Sequence, residues 1–134
     1  MRYIFVSLFL FLGDNLQSQS FYKIDSIQQI KIFFPFQNWD YRMDTANAGA
    51  GGYVITDSVI INKTTFIKCG VKFKGSSSYD STFKKNPLHI KLDKTFSQNY
   101  EGITDVKLGN GYSDNSMLRE PLSYAILRNY MDEQ

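Results

Sequence analysis

Residues 88–93 read Leu-His-Ile-Lys-Leu-Asp. Leu88, Ile90 and Leu92 alternate with His89, Lys91 and Asp93, the period of two that sends successive side chains to opposite faces of a sheet. The pattern predicts a strand with one wet face, led in by Pro87. On its carboxyl side, Thr104 to Leu108 predicts a further short strand, broken by Gly109-Asn110-Gly111. On its amino side lie two β-rich runs, Tyr53 to Asn62 and Thr65 to Phe73, separated only by Lys63-Thr64. That is hairpin spacing, although the turn residues are not the favoured Asn-Gly pair. Farther out, Gln29 to Phe34 alternates Ile30, Ile32 and Phe34 with polar or charged residues up to Pro35, as a short strand would.

The segments between are less decided. Phe36 to Asp44 has a period neither clearly two nor clearly 3.6 and reads as a turn or short helix. Ala46 to Gly52 is a small-residue stretch with three glycines, a flexible connection or a place of close backbone approach. Lys74 to Asn86 is a polar loop rich in Ser and Lys. Ser113 to Ser116 offers N-cap candidates, and Pro121 suits the start of a regular helix running on to Tyr130, with Leu122, Ile126 and Tyr130 on one face. A helix beginning at Met117 would instead put Pro121 where its missing N–H breaks interior bonds. The fold class expected is α+β, an antiparallel twisted sheet of about four or five strands with a carboxyl-terminal helix.

The chain has 134 residues, with 43% hydrophobic and 21% charged positions, which places it among globular proteins of about one domain. A formal net charge of +2 is too small to argue for nucleic acid. Cys69 is the single cysteine, so an internal disulfide and a cysteine-cluster metal site are excluded, and its alternating surroundings suggest a buried strand thiol. Residues 1–20 read as a signal peptide: Arg2, an apolar run from Tyr3 to Leu12, and small residues Ser18 and Ser20 before a cut. A helix of that run reaches about 15 Å, against about 30 Å of hydrocarbon, so stable membrane insertion is not expected. The expected location is secreted or cell envelope, with residues 21–134 as the exported domain. No Gly cap or breaker follows the last helix, so the chain is expected to be the amino-terminal part of a larger domain.

Gly70-Val71-Lys72-Phe73-Lys74-Gly75-Ser76-Ser77-Ser78 is a strand running into a Gly-Ser loop flanked by lysines. Gly75 permits a tight turn, while the hydroxyls and N–H groups of Ser76, Ser77 and Ser78 suit an oxyanion, with Lys74, Lys84 and Lys85 nearby. Composition alone leaves two readings open, a phosphate cradle and an ordinary solvated basic loop. The loop lacks the Gly-Lys-Ser/Thr of a P-loop and the paired glycines of dinucleotide folds. Lys91 on the wet strand face and Glu120 at the head of the helix form a possible lysine–glutamate pair of the kind that orients nucleotide phosphates in kinases.

Three linked stretches, Lys-Cys-Gly-Val-Lys-Phe-Lys-Gly-Ser-Ser-Ser at 68–78, Lys-Lys-Asn-Pro-Leu-His-Ile-Lys-Leu-Asp at 84–93, and Tyr-Ser-Asp-Asn-Ser-Met-Leu-Arg-Glu-Pro-Leu-Ser-Tyr-Ala-Ile-Leu-Arg at 112–128, resemble the CotH kinase family in order and spacing. That family shows Arg/Lys-Gly-Asn-Ser-Ser, then Lys-Lys before a Lys-containing strand, then an Asp-x-Ser-x-x-Arg-Glu helix. Ser76 departs from it by replacing the usual Asn. The resemblance implies an incomplete kinase-like amino-terminal lobe of a bacterial, exported parent. That parent would take ATP with a divalent metal such as Mg and phosphorylate secreted or spore-coat proteins. By similarity, Gly75, Ser76, Ser77 and Ser78 would lie over the phosphates, Lys91 would pair with them and with Glu120, and Lys74 and Lys85 would be secondary. The family's catalytic and metal-binding acidic residues lie downstream of the Arg-Glu helix, so no catalytic residue and no metal ligand is assigned here. A non-catalytic exported surface or scaffold module of the same fold is the alternative.

Three further features draw plainer readings. His89, the single histidine, has no nearby Cys or second His to share a metal. Trp39 to Asp44 is either a ligand-facing aromatic patch or a cluster capping the sheet. Asn62-Lys63-Thr64 is a glycosylation sequon.

Overall fold

A computed structural model describes residues 21, 26–49, 51–116 and 118–132; the expected signal peptide at 1–20 lies outside them. Among the described residues there are seven strands and two helices: β1 (Ile30–Phe33), α1 (Trp39–Ala48), β2 (Val54–Ile55), β3 (Ser58–Ile61), β4 (Thr64–Ile67), β5 (Gly70–Phe73), β6 (Leu88–Lys91), β7 (Asp105–Leu108) and α2 (Arg119–Asp132). The α+β class is as expected, but the sheet is two antiparallel sheets, ordered β1-β3-β4 and β2-β5-β6-β7.

The division comes from one bent hairpin. The turn sits at Asn62-Lys63, one residue earlier than its expected place, with Ile61 opposite Thr64 and Asn62 at φ 56°. The pairs Ser58–Ile67 and Val54–Val71 belong to a single register, carried through the join by the Thr56 N–H on the Cys69 carbonyl (2.9 Å) and the Lys68 N–H on the Asp57 carbonyl (3.1 Å). At the join Lys68 takes φ 51°, and the ladder turns so that β3 meets β1 while β5 meets β6. The two runs read as two strands are therefore four.

Both sheets feed one core: Met43 from α1, Val59 and Ile61, Phe66, Cys69, Val71 and Phe73, Ile90 and Leu92, and Val106. Across the second sheet Val54, Val71, Ile90 and Val106 stand in cross-strand register on the buried face. Thr56 is fully buried and gives its hydroxyl to the Cys69 carbonyl (3.1 Å), so its polarity is satisfied at the bend. Cys69 is likewise fully buried, and burial pushes its thiol up to about 11. Native protein is therefore expected to leave Cys69 unmodified by a thiol reagent at neutral pH and to react stoichiometrically in denaturant; rapid native labelling would contradict the packing.

The segment after β1 is a helix. Trp39 stacks on Phe34 (5.5 Å, 7°), Met43 enters the core, and Ala46 and Ala48 extend the helix into the stretch expected to be flexible, since alanine is the best helix former. Gly51, at φ 69°, supplies the turn after it. The aromatic string is thus a cap over the sheet, and α1 packs on β2 and β5. The Asn62 side chain is committed: its amide nitrogen donates to Gln28 Oε1 (2.8 Å) and Tyr100 Oη (3.0 Å), so the sequon's acceptor atom holds the turn in place. On edge strand β4, Gln98 bonds both the N–H (3.0 Å) and the carbonyl (2.8 Å) of Ile67, closing a backbone pair that an open edge would present.

The helix α2 begins at Arg119, two residues before Pro121, and its first bond runs from the Leu122 N–H to the Leu118 carbonyl (2.9 Å). Proline is tolerated there because first-turn N–H groups have no intrahelical partner. Leu122, Ile126 and Tyr130 fall on one face as expected, yet each is more than half exposed, and α2 packs against no other element among the described residues.

Candidate functional site

The loop between β5 and β6 is organised by two asparagines. Asn86, buried, accepts the Asp80 N–H (2.9 Å) and donates to the carbonyls of Asp80 (2.9 Å) and Phe83 (2.7 Å). Asn110, beyond β7, donates to the carbonyls of Ser78 (2.9 Å) and Lys85 (3.2 Å), tying both arms of the loop to the β7–α2 connection. The ends are closed by the Lys74 N–H on the Pro87 carbonyl (2.9 Å). Gly75 sits at φ 85°, and a Cβ built on it would meet Ser78 Oγ at 2.5 Å. Only glycine both adopts that backbone readily and leaves the hydroxyl its room. Tyr79 rests on Phe73 (5.4 Å) and donates to Asp44 on α1 (2.8 Å), anchoring the loop to the body of the fold.

The start of α2 is built by the Asp-x-Ser-x-x-Arg segment itself. Asp114 accepts from the Ser116 hydroxyl (2.5 Å), the Ser116 N–H (3.1 Å) and the Arg119 N–H (2.8 Å), while Ser116 Oγ accepts the Leu118 N–H (3.2 Å). The Ser116 hydroxyl first, then the Arg119 N–H, hold the Asp114 carboxyl below the usual aspartate range. Asp114 and Ser116 are thus a helix-starting device, and they leave the Arg119 guanidinium mostly exposed near the Ser113 carbonyl (3.3 Å).

Between these two structures lies an open cleft of about 680 Å³, lined by Lys74, Ser78, Lys107, Asn110, Arg119 and Glu120, among others. Of the sequence candidates, Lys74, Ser78 and Glu120 meet here, with the Gly75 turn behind them, and Lys85 lies in the adjoining hollow that shares Asn110 and Asp114. Ser76 and Ser77 are exposed at the loop tip. Lys107 and Arg119 were not singled out. Arg119 stood in the quoted helix motif, and only the register of β7 points Lys107 this way.

Lys91 is elsewhere. It faces Asp105 across the β6–β7 pair and bonds Asp93 (3.3 Å) and Asp105 (3.5 Å). Glu120 lies by Gly109, past the other end of that pair, where Leu88 meets Leu108. Four strand residues separate the two ends by about 10 Å, so the lysine–glutamate pair expected from kinase logic is not formed, and Lys91 has aspartate partners instead. Asp93 first, then Asp105, hold the Lys91 ammonium above its ordinary value.

Together the fold and the cleft define the class: an α+β protein whose Gly-Ser turn and helix start frame a cation-rich hollow suited to an oxyanion. The family model described as CotH kinase protein matches residues 71–131, from β5 through most of α2. That match, over somewhat less than half of the chain, bears out the resemblance drawn from the three motifs. No curated protein and no solved structure matches the chain.

The family implies ATP and a divalent metal for the parent. The cleft suits the phosphate part of that pair, with Lys74, Lys107 and Arg119 around it and the Ser78 hydroxyl at its edge. Among the described residues no group of three or more His, Cys, Asp and Glu side chains could hold a metal ion, so no ligand for the metal is named.

Proposed function

We propose that this chain supplies the nucleotide-side lobe of an exported CotH-type protein kinase, with the cleft between the Gly75 turn and the start of α2 receiving the phosphates of ATP. The observation that supports it is the meeting of the two outer CotH stretches at one hollow, Lys74 and Ser78 from the first and Arg119 and Glu120 from the third. The middle stretch contributes through Lys85 and Asn86, which shape the loop, while Lys91 stands apart. Export rests on the Tyr3–Leu12 run and its small-residue cut site; among the described residues no helix is long and apolar enough to cross a membrane. Secreted or coat proteins are the proposed acceptors.

Titrating the protein with magnesium ATP and with inorganic tripolyphosphate tests the cleft. Lys74→Ala and Arg119→Ala should each weaken binding about tenfold, the size of one charged hydrogen bond. Lys91→Ala should change it less than twofold. Equal loss from all three, or none from the first two, would remove the cleft from the reading. A second reading, a non-catalytic exported surface or scaffold module, draws on the uncovered apolar face of α2. Phosphate transfer from labelled ATP to secreted acceptors by the full-length parent separates them, since the scaffold transfers none.

A further inference from the structure

The wet face of the four-stranded sheet carries a second, denser polar assembly. His89 Nε2 lies 2.7 Å from Asp105 Oδ1, and its Nδ1 lies 3.1 Å from the hydroxyl of Tyr53, the residue before β2. A carboxylate only accepts, so Nε2 carries the proton, and in the neutral imidazole Nδ1 is left to accept from Tyr53. Thr104 Oγ1 donates to the other Asp105 oxygen (3.1 Å), where Lys91 also approaches (3.5 Å). The His89 bond first, with Thr104 and Lys91 behind it, holds Asp105 below the usual aspartate range, so the carboxylate is charged at neutral pH.

The surroundings of Tyr53 are made to measure. Gly70 is buried, and a Cβ there would come within 3.0 Å of Tyr53 Cδ1 and of the Lys94 stem. The glycine therefore leaves the space that the phenol ring and Lys94 fill. The ammonium groups of Lys72 and Lys94 stand 4.9 and 5.1 Å from the ring centre. A hydroxyl within reach of a base that is itself oriented by a third group is the arrangement of an activated nucleophile.

We infer that Tyr53 is such a nucleophile, with His89 as its base and Asp105 as the orienting carboxylate, and that it takes a phosphoryl group from an anionic donor drawn in by Lys72 and Lys94. Burial, then the Asp105 charge, keeps the phenol pKa above its ordinary value, so its proton is present to be passed on. With a nucleoside triphosphate as donor, Tyr53 Oη forms a bond to the terminal phosphorus. The bond from that phosphorus to the bridging oxygen breaks, the nucleoside diphosphate leaves with the electron pair, and the phenol proton moves to Nδ1. The Tyr53 hydroxyl reaches across β5 to His89, and His89 is paired in register with Lys107, which lines the cleft. The identity of the donor rests on the kinase reading above; the nucleophile does not.

The test treats the full chain with diisopropyl fluorophosphate, which needs no nucleotide site, and separately with magnesium ATP; peptide mapping then locates the label. In the fluorophosphate arm Tyr53 should react at least tenfold faster than Tyr41, Tyr112, Tyr124 and Tyr130, although all four are 59% exposed or more. His89→Asn and Asp105→Asn should each lower the Tyr53 rate about 10- to 100-fold at unchanged melting temperature, the size of lost base catalysis, with Tyr53→Phe as the blank. A Tyr53 rate no higher than that of the exposed tyrosines, or one indifferent to both variants, overturns the nucleophile. In the ATP arm, phosphate on Tyr53 that falls in the Lys72→Ala, Lys94→Ala double variant supports the anionic donor. Phosphate on other residues with Tyr53 bare overturns that part. No phosphate from ATP anywhere, with Tyr53 still reactive to the fluorophosphate, sinks the phosphotransferase reading while the nucleophile stands.

Discussion

Asn86→Ala is expected to loosen the whole 74–87 loop, lowering the stability of the chain by about 2–3 kcal/mol and the melting temperature by about 10 °C or more. Its carboxamide makes three bonds, at 2.9, 2.9 and 2.7 Å, and alanine leaves the Asp80 N–H, the Asp80 carbonyl and the Phe83 carbonyl to find water or nothing. Each ordinary bond contributes about 0.5–1.5 kcal/mol net, and stranded groups cost more because they stay partly desolvated. Asn86→Asp separates the parts: it keeps the acceptor for Asp80 and loses both donations, so it should fall between wild type and alanine. Because Lys84 and Lys85 are exposed on this loop, trypsin offers a local readout besides the melt. Cleavage after them should accelerate well before global unfolding, and tripolyphosphate affinity should fall with it through Lys74 and Ser78. A loop as resistant in the variant as in the wild type would show that Tyr79 and Asn110 suffice to hold it.

The residues that matter most in that prediction were also the hardest to read. Asn86 and Asn110 are single polar residues in polar segments, where no periodicity marks a structural role; their function appears only when the two arms of the loop are side by side. The strand at 88–91 was plain, because the apolar residues of 88–93 repeat every second position and Ile90 and Leu92 are fully buried. The bend that divides the hairpin was not. The alternation runs on in one register through Thr56-Asp57 and Lys68-Cys69, and the turning residue is a lysine at positive φ rather than a glycine.

The same limit applies to the two sites. Alternation put His89 and Lys91 on the wet face, but which groups face them depends on cross-strand register. Tyr53 and Asp105 are 36 and 16 residues from His89. Glu120 was assigned to Lys91 by analogy, and the register of β7 answered with Asp105 instead. By contrast the Gly75 turn and the Arg119-Glu120 helix start were legible as local motifs. Each is a short-range device, in one case a positive-φ glycine and in the other an aspartate collecting N–H groups within five residues.

Ile90→Ala should cost still more, about 2–5 kcal/mol, against a total of about 5–15 kcal/mol for a domain of this kind. Ile90 is fully buried, with Val71 on one side and Val106 on the other in the core-facing row of the second sheet. Removing three carbons there loses both their transfer energy and the contacts of a cavity walled by strands whose ladders keep them from closing in. Ile90→Val, which removes one carbon, should cost only about 0.5–1.5 kcal/mol. The pair is informative beyond stability, because the flanking residues of the same strand, His89 and Lys91, carry the wet-face network. If that network depends on the sheet being in register, Ile90→Ala should slow fluorophosphate labelling of Tyr53 in proportion to the fraction unfolded in a urea melt, and Ile90→Val should leave it unchanged. Labelling that falls in Ile90→Val, at near-native stability, would mean that the Tyr53–His89–Asp105 alignment is set by the packing beneath it and not by the strand register alone.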